Sequence, residues 1–319
     1  MYGLGVDFEK VRKRVRACDY LAVAQLFLQS NFLLEKPLGF SDIKPRLLGH
    51  WGSCHGINVA YANLKAFFGD DPEFSFVLGP GHGFPALQAN LFVDGVLEKV
   101  DKRLTRNLAG IEVLCREFSW PGGFPSHASP MTPGVICEGG ELGYALATAY
   151  GVALGHPEKK IAVLIGDGEL ETATALTSLN LNGLLSGESN GRVLPILHLN
   201  GYKISAPSVY ARRSERELNE MIRGFGFTPV LIENDHADIV QFALEKGMNE
   251  KRPFFILKTE KGATGPKELY GEKVAGNYLA HQIPLLKAKT DEGQLKMLEN
   301  WLKSYHFEEI YSVKKGFML

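Results

Sequence analysis

The sequence predicts an α/β fold, a doubly wound, mainly parallel sheet flanked by helices. Three observations carry this. Five short apolar runs occur: FSFVLG (74–79), IAVLIG (161–166), VLPILHL (193–199), TPVLIE (228–233) and FFILKT (254–259). None alternates polar and apolar residues, which suits strands buried on both faces. Helix-like stretches separate the runs, and each run closes on glycine or polar residues.

In chain order, CDYLAVAQLFLQ (18–29) spaces its apolar residues as a helix does, and EKPLGFSDIKPR (35–46) is a polar, proline-containing connector. The strand-like runs follow. Between and after them, ELGYALATAYGVAL, ETATALTSLNLNGLL, SERELNEMIRGFGF and HADIVQFALEKGMNE read as helices. DEGQLKMLENWLKSY resembles a surface helix with a short frayed end. The chain divides into an N-terminal helical segment (1–45), an α/β domain (46–288) and a C-terminal helical tail (289–319). There is no internal repeat or low-complexity segment.

Composition narrows the function. The 319 residues suffice for one large α/β domain or two small ones. Thirty-five Lys and Arg against 36 Asp and Glu give a net charge of -1, which removes the electrostatic case for nucleic acid. No apolar run reaches the roughly 18 residues of a membrane span. The N-terminus lacks an apolar signal core, so the cytoplasm is the expected location. Cys18, Cys54, Cys115 and Cys137 are scattered and read as reduced thiols, not as disulfides or a zinc site.

Ligands of open α/β sheets collect at the carboxyl ends of strands. IAVLIG runs into Asp167-Gly168-Glu169, and VLPILHL into Asn200-Gly201-Tyr202. A glycine-flanked turn lets backbone approach a ligand, and a helix N-terminus offers free N–H groups to phosphate. A diphosphate needs a divalent cation. Magnesium would take one carboxylate (Asp167), one amide oxygen (Asn200) and one backbone carbonyl. The Gly-Asp-Gly turn taken alone fits a plain structural turn equally well. Histidines give a second signal, with His50, His55, His82, His127 and His281 in Gly- and Pro-rich loops that can hold side chains for proton transfer. His156, His198, His236 and His306 have weaker contexts and read as surface or packing residues.

KPRLLGHWG, GPGHG, FPSH, EGGELGYAL, GDGE-ET, VLPILHLNGYKI, ATGPKE and AHQ-PL occur in this order. Together they resemble the phosphoketolase family of thiamine diphosphate enzymes, from about residue 19 to about 305. The histidine loops select phosphoketolase over transketolase.

The resemblance implies a thiamine diphosphate-binding fold of the PP type, with thiamine diphosphate and Mg2+ as cofactors. Asp167, Asn200 and the carbonyl of Tyr202 would ligate the metal. Gly168 and Glu169 would line the diphosphate, Gly140 would meet the aminopyrimidine through its backbone, and Lys261 would sit near the diphosphate. His50, His82, His127 and His281 fall on the family's active-site histidines. His281 also belongs to the cofactor site, and Gln282 is a polar contact to substrate. The implied activity is that of an aldehyde-lyase, in which a ketose phosphate and inorganic phosphate give acetyl phosphate and an aldose phosphate.

The chain is far shorter than members of the family and matches only their diphosphate-binding part. The expectation is a split enzyme, with a separate chain bringing the pyrimidine-binding domain in a dimer or heterotetramer. A transketolase-like split enzyme and a non-catalytic cofactor-binding subunit are the alternatives. Several positions depart from the family pattern. Cys137 stands where a histidine is usual, Leu179-Asn180 replaces Trp-His, and Ala206 replaces Asn. Phe84-Pro85-Ala86 replaces a more Gly-rich run, and His55 stands where Pro is common. Most of these flank the cofactor pocket and bear on the choice of substrate.

Overall fold

The structure, a computed structural model, describes residues 5–133, 135–136 and 138–319, so Cys137 lies outside the described residues. The chain begins with α1 (Phe8–Phe27), α2 (Cys54–Phe68), β1 (Phe74–Leu78), α3 (Phe84–Val93), α4 (Val96–Val100) and α5 (Leu108–Glu117). It continues with α6 (Ala145–Gly155), β2 (Lys160–Gly166), α7 (Asp167–Leu170), α8 (Ala173–Ser178), β3 (Arg192–Leu199) and α9 (Glu215–Gly224). Then come β4 (Thr228–Ile232), α10 (Ala237–Met248) and β5 (Pro253–Lys258). A two-stranded hairpin, β6 (Glu268–Leu269) and β7 (Glu272–Lys273), precedes α11 (Glu292–Lys303), and a second, β8 (Tyr311–Ser312) and β9 (Gly316–Phe317), follows it.

The five apolar runs form one parallel sheet in the order β1-β2-β3-β5-β4. Their lack of alternation has the expected cause. Successive side chains of a strand point to opposite faces. Ala162 and Leu164 of β2, with Phe255 and Leu257 of β5, join the core under α1, α2, α3, α5, α10 and α11. Ile161, Val163 and Ile165, with Phe254 and Ile256, join a second core under α6, α8 and α9. The sheet is doubly wound, as the sequence predicts.

Helix α1 is longer than its apolar stretch suggests, because Asp7 caps it by accepting from the N–H groups of Glu9 and Lys10. Its second half, 17–27, is buried on every side. Tyr20 stacks on Phe307 with centroids 4.1 Å apart, which fastens the C-terminal region onto α1. The end of the chain is therefore not frayed. Helix α11 buries Leu295, Leu298, Trp301 and Leu302, and Tyr311 meets Phe317 at 5.0 Å in the last hairpin. The predicted helix after the Gly-Asp-Gly turn is also broken. α8 ends at Ser178 and gives way to 3-10 turns over 179–184, where Asn180, Asn182 and Gly183 are weak helix formers. Ser178 donates its hydroxyl back to the Thr174 carbonyl at the break.

Cys18, Cys54 and Cys115 are buried and free. Among the described residues no helix is long and apolar enough to cross a membrane.

A buried polar chain ties α1 to α2, α3 and the β4–α10 loop. His55 bridges Asp19 (Nδ1 to Oδ2, 2.7 Å) and Asp235 (Nε2 to Oδ2, 2.9 Å). Asn58 donates to Asp19, and Asn90 donates to Asn58. Burial alone would push His55 down, but the two carboxylates outweigh it and hold the ring up to about 10. The charged ring stabilises the fold in full below its ordinary value of 6.5, and that contribution fades as pH rises toward 10. His55→Gln should therefore lower the melting temperature most below pH 6.5 and least near pH 10. Paired thermal melts across that range check this, and a constant difference would contradict it.

Candidate functional site

The carboxyl ends of β1, β2, β3 and β5 converge on one cavity of about 280 Å³. β1 delivers His82, β2 Asp167, β3 Asn200, and β5 Lys261. Ser53, Glu169, Tyr202, Lys203 and His281 also line it. At the β1 turn, two backbones touch. A Cβ on Gly81 would lie 2.1 Å from the Gly139 Cα, so only glycine permits the Gly139 backbone to pack against this turn.

Asp167 is 2% exposed and joins three segments. Its Oδ1 accepts from Gly168 N at 2.8 Å, and its Oδ2 accepts from Gly201 N at 2.8 Å and Ser208 Oγ at 2.9 Å. Burial raises its pKa, against those hydrogen bonds and the Lys261 charge. Gly201 has φ +95, the left-handed region that lets its N–H turn back to the carboxylate. Asn200 is buried, and its Oδ1 accepts from Tyr202 N at 3.2 Å.

Lys261 is buried, not a solvated lysine, and its Nζ donates to the Tyr202 carbonyl at 2.8 Å. Burial pulls it down to about 8, opposed by Asp167. Asp167, Asn200 and the Tyr202 carbonyl thus lie together, with an ammonium already on the third oxygen. Among the described residues no group of three or more His, Cys, Asp or Glu side chains is arranged to hold a metal ion. The expected donor set contains only one such side chain. It offers three hard oxygens, one of them from a desolvated carboxylate, which fits a small divalent cation.

Glu169 acts as a staple. Its oxygens accept from Gly143 N and Gly166 N, each at 3.1 Å, joining the 139–143 loop to the β2 turn. Burial pushes its carboxyl up to about 7, against those two bonds. Gly168 lines the cavity under the Lys203 side chain.

Four histidines gather beside this edge. The His50 ring centroid lies 5.2 Å from His82, 5.2 Å from His127 and 5.1 Å from His281, and His82 lies 4.8 Å from His281. Among the described residues no carboxylate hydrogen-bonds to any of them. Ser53 Oγ stands 3.3 Å from His82 Nε2, and Ser126 Oγ stands 3.0 Å from His127 Nδ1. The Nδ1 atoms of His50 and His281 are buried without a partner among the described residues. Burial, then repulsion from neighbouring cations, pushes His50 down to about 4 and His281 to about 3, and holds His82 well below its ordinary value. His127 is lowered by burial, against Glu138. The cluster is neutral near pH 7, so it can exchange protons and hydrogen-bond an anion once its charged form is stabilised.

Two residues named from the sequence lie apart from this group. Gln282 is exposed and lines a separate cavity with Leu269, Tyr270 and Leu286. Gly140 is exposed and does not line the main cavity, though its neighbour Gly139 packs on Gly81. His198 is a packing residue, buried with Nε2 2.7 Å from Thr259 Oγ1. Sequence reasoning missed Ser53, Ser208 and the Lys203–Glu171 ion pair (2.6 Å) at the cavity mouth. Ser53 stands three residues after His50 in one loop and was open to notice, whereas no motif marks Ser208.

Comparison with known proteins follows the same outline. The model of the XFP N-terminal domain matches residues 5–249 and 237–318. A "Probable phosphoketolase" of Rhodopseudomonas palustris (strain HaA2) is 43% identical over 324 residues, covering 95% of this chain and 41% of the relative. One from Streptomyces coelicolor is 43% identical over 318 residues, covering 93% and 40%. The chain thus spans about two fifths of the length of the curated relatives it matches. Transketolase from Leishmania mexicana superposes with a TM-score of 0.63 at 19% identity, covering 95% of this chain and 45% of that one. Transketolase from Campylobacter jejuni gives 0.62 at 18%, covering 94% and 47%. At such identity the likeness is one of fold. The chain belongs to the XFP N-terminal domain family, the amino-terminal domain of phosphoketolases.

Proposed function

We propose that this chain is the diphosphate- and metal-binding half of a thiamine diphosphate-dependent, phosphoketolase-like lyase. The observation that carries the reading is the four-histidine cluster set against the Asp167–Asn200–Lys261 edge of one cavity. Asp167, Asn200 and the Tyr202 carbonyl would hold Mg2+, with Lys261 moving from that carbonyl onto the diphosphate. Gly168 would present its backbone to the diphosphate, Glu169 would hold the surrounding turns, and Gly140 would meet the aminopyrimidine. Bound thiamine diphosphate would supply the nucleophile and electron sink for carbon–carbon cleavage.

The chain's own residues would manage protons and orientation. His82 and His281 reach the cavity wall and would face the oxygens of a ketose phosphate. His50 and His127 stand next to them and would share a proton or bind the incoming phosphate. Gln282 would reach substrate only after its segment shifts toward the cavity. Products would be acetyl phosphate and an aldose phosphate, and the setting would be the cytoplasm.

A second polypeptide, carrying the pyrimidine-binding domain, would complete the site in a dimer or heterotetramer. One observation supports a covering partner. Leu142 and Ile204 line the cavity and are 38% and 60% exposed, which leaves an apolar rim for a partner to cover.

Two predictions follow from these roles. Asp167→Asn should weaken binding of thiamine diphosphate with magnesium by on the order of ten- to hundredfold, with the fold retained. Calorimetric titration checks this, and unchanged affinity would remove Asp167 from the metal site. With the remaining phosphoketolase domains supplied in trans, His281→Ala should cut acetyl phosphate formation from fructose 6-phosphate by on the order of 10²–10⁴-fold. Unchanged turnover would favour a non-catalytic subunit. Acetyl phosphate made by the chain alone would overturn the split-site reading.

A further inference from the structure

A second cavity, of about 290 Å³, opens at the opposite, amino-terminal edge of the sheet. Arg192 begins β3, Arg252 directly precedes β5, and Phe227 directly precedes β4. Tyr150 of α6 and Asn182 close the wall. The length of β3 places this edge roughly 25 Å from the histidine cluster.

Three features of this cavity point to a ligand. The Arg252 side chain is partly buried, yet it makes no hydrogen bond or ion pair with any described residue. Its backbone is fixed by pairing, since its carbonyl accepts from Thr228 N at 2.8 Å, and the residue lines the cavity. Tyr150 is 2% exposed as a residue, and its hydroxyl makes no hydrogen bond to a described residue. That oxygen is not among the fully buried unpartnered atoms, so it is open to the cavity that Tyr150 lines. Finally, the charges do not balance. Arg192, Lys251 and Arg252 line the cavity against one carboxylate, Glu250.

Arg192 has a structural role, because it donates to the carbonyls of Met248 (3.1 Å), Gly247 (3.5 Å) and Glu250 (2.6 Å) at the end of α10. It thereby fixes the loop that carries Lys251 and Arg252. A Cβ built on Gly226 would lie 3.6 Å from Asn182 Nδ2 and 4.0 Å from Arg252 Nη1, so these two donors flank one small residue. Burial keeps the Tyr150 phenol protonated, against the nearby Arg252 charge, so it acts as a donor.

We propose that this cavity is an anion site for a phosphate group, taken as inorganic phosphate or as the phosphate end of a small metabolite, with Arg252 and Tyr150 as its principal donors. A guanidinium matches phosphate in shape and charge. The volume lies at the lower limit of small-molecule sites, about 300 Å³, which suits a few-carbon phosphate ester. The Phe227 and Tyr150 rings offer an apolar wall to the carbon part. The site is separate from the histidine cavity and stands whatever reaction that cavity serves.

The test is calorimetric titration of the full chain with inorganic phosphate and with glycerol 3-phosphate. Lys261→Ala first weakens anion binding in the histidine cavity, and one binding event should persist. Adding Arg252→Ala should weaken that event about tenfold or more. Phe227→Ala should weaken glycerol 3-phosphate alone if an ester is the occupant, and neither ligand if inorganic phosphate is. Hydrogen exchange on the wild-type chain gives a readout free of folding effects, with phosphate expected to slow exchange at 187–193 and 250–252. Unchanged exchange there, or unchanged affinity on adding Arg252→Ala, would overturn the proposal.

Discussion

The site rests on the burial of one carboxylate. Asp167 directly follows β2, accepts from Gly201 just beyond β3, and accepts again from Ser208 farther along the same loop. A carboxylate taken out of water must be repaid by such bonds. Because it is repaid by two neighbouring segments, their positions are fixed together. Asn200 and the Tyr202 carbonyl lie one residue to either side of Gly201, so their placement follows from the same bond. Lys261 then reaches that carbonyl from β5. One desolvated charge thus aligns three strand ends, and its unfinished compensation is what makes the edge suited to a cation.

The two histidine environments show how context directs one side chain to opposite ends. His55 lies between two carboxylates, which hold it up to about 10 and make it a fixed cation in a structural chain. His50 and His281 lie among other imidazoles with Lys261 nearby, and burial with repulsion pushes them to about 4 and 3. The first arrangement locks a proton in place. The second keeps rings neutral with unused ring nitrogens, ready to respond when an anion arrives. A bound phosphate would reverse the local sign and raise all four rings together, so ligand binding and proton uptake are coupled in this cluster.

Much of this was legible in the sequence, for identifiable reasons. The sheet was legible because a strand buried on both faces leaves an unbroken apolar run, and each of the five runs became a strand. The strand-end residues Asp167 and Asn200 were legible because ligand edges recur at carboxyl ends. The C-terminal region was less so. Its burial comes from Tyr20 meeting Phe307, a contact across the whole chain that no local pattern records. Lys261 as a buried group and Ser208 as a partner of Asp167 were hidden for the same reason, since both depend on a distant segment arriving. Gln282 shows the converse: adjacency to His281 in sequence suggested a shared site, yet the two side chains face different cavities.

The exposure of the cavity mouth has its own consequence. Leu142 and Ile204 stand at the rim above a buried Lys261 and Asp167. While the mouth is open, water screens the field of those charges over the cavity. Covering the rim would remove apolar surface from water and thin that screening in one step. The same closure would shift the histidines further from protonation unless an anion enters with it. A partner that covers this rim would therefore bind more tightly when an anionic ligand is present, because each offsets the desolvation that the other imposes.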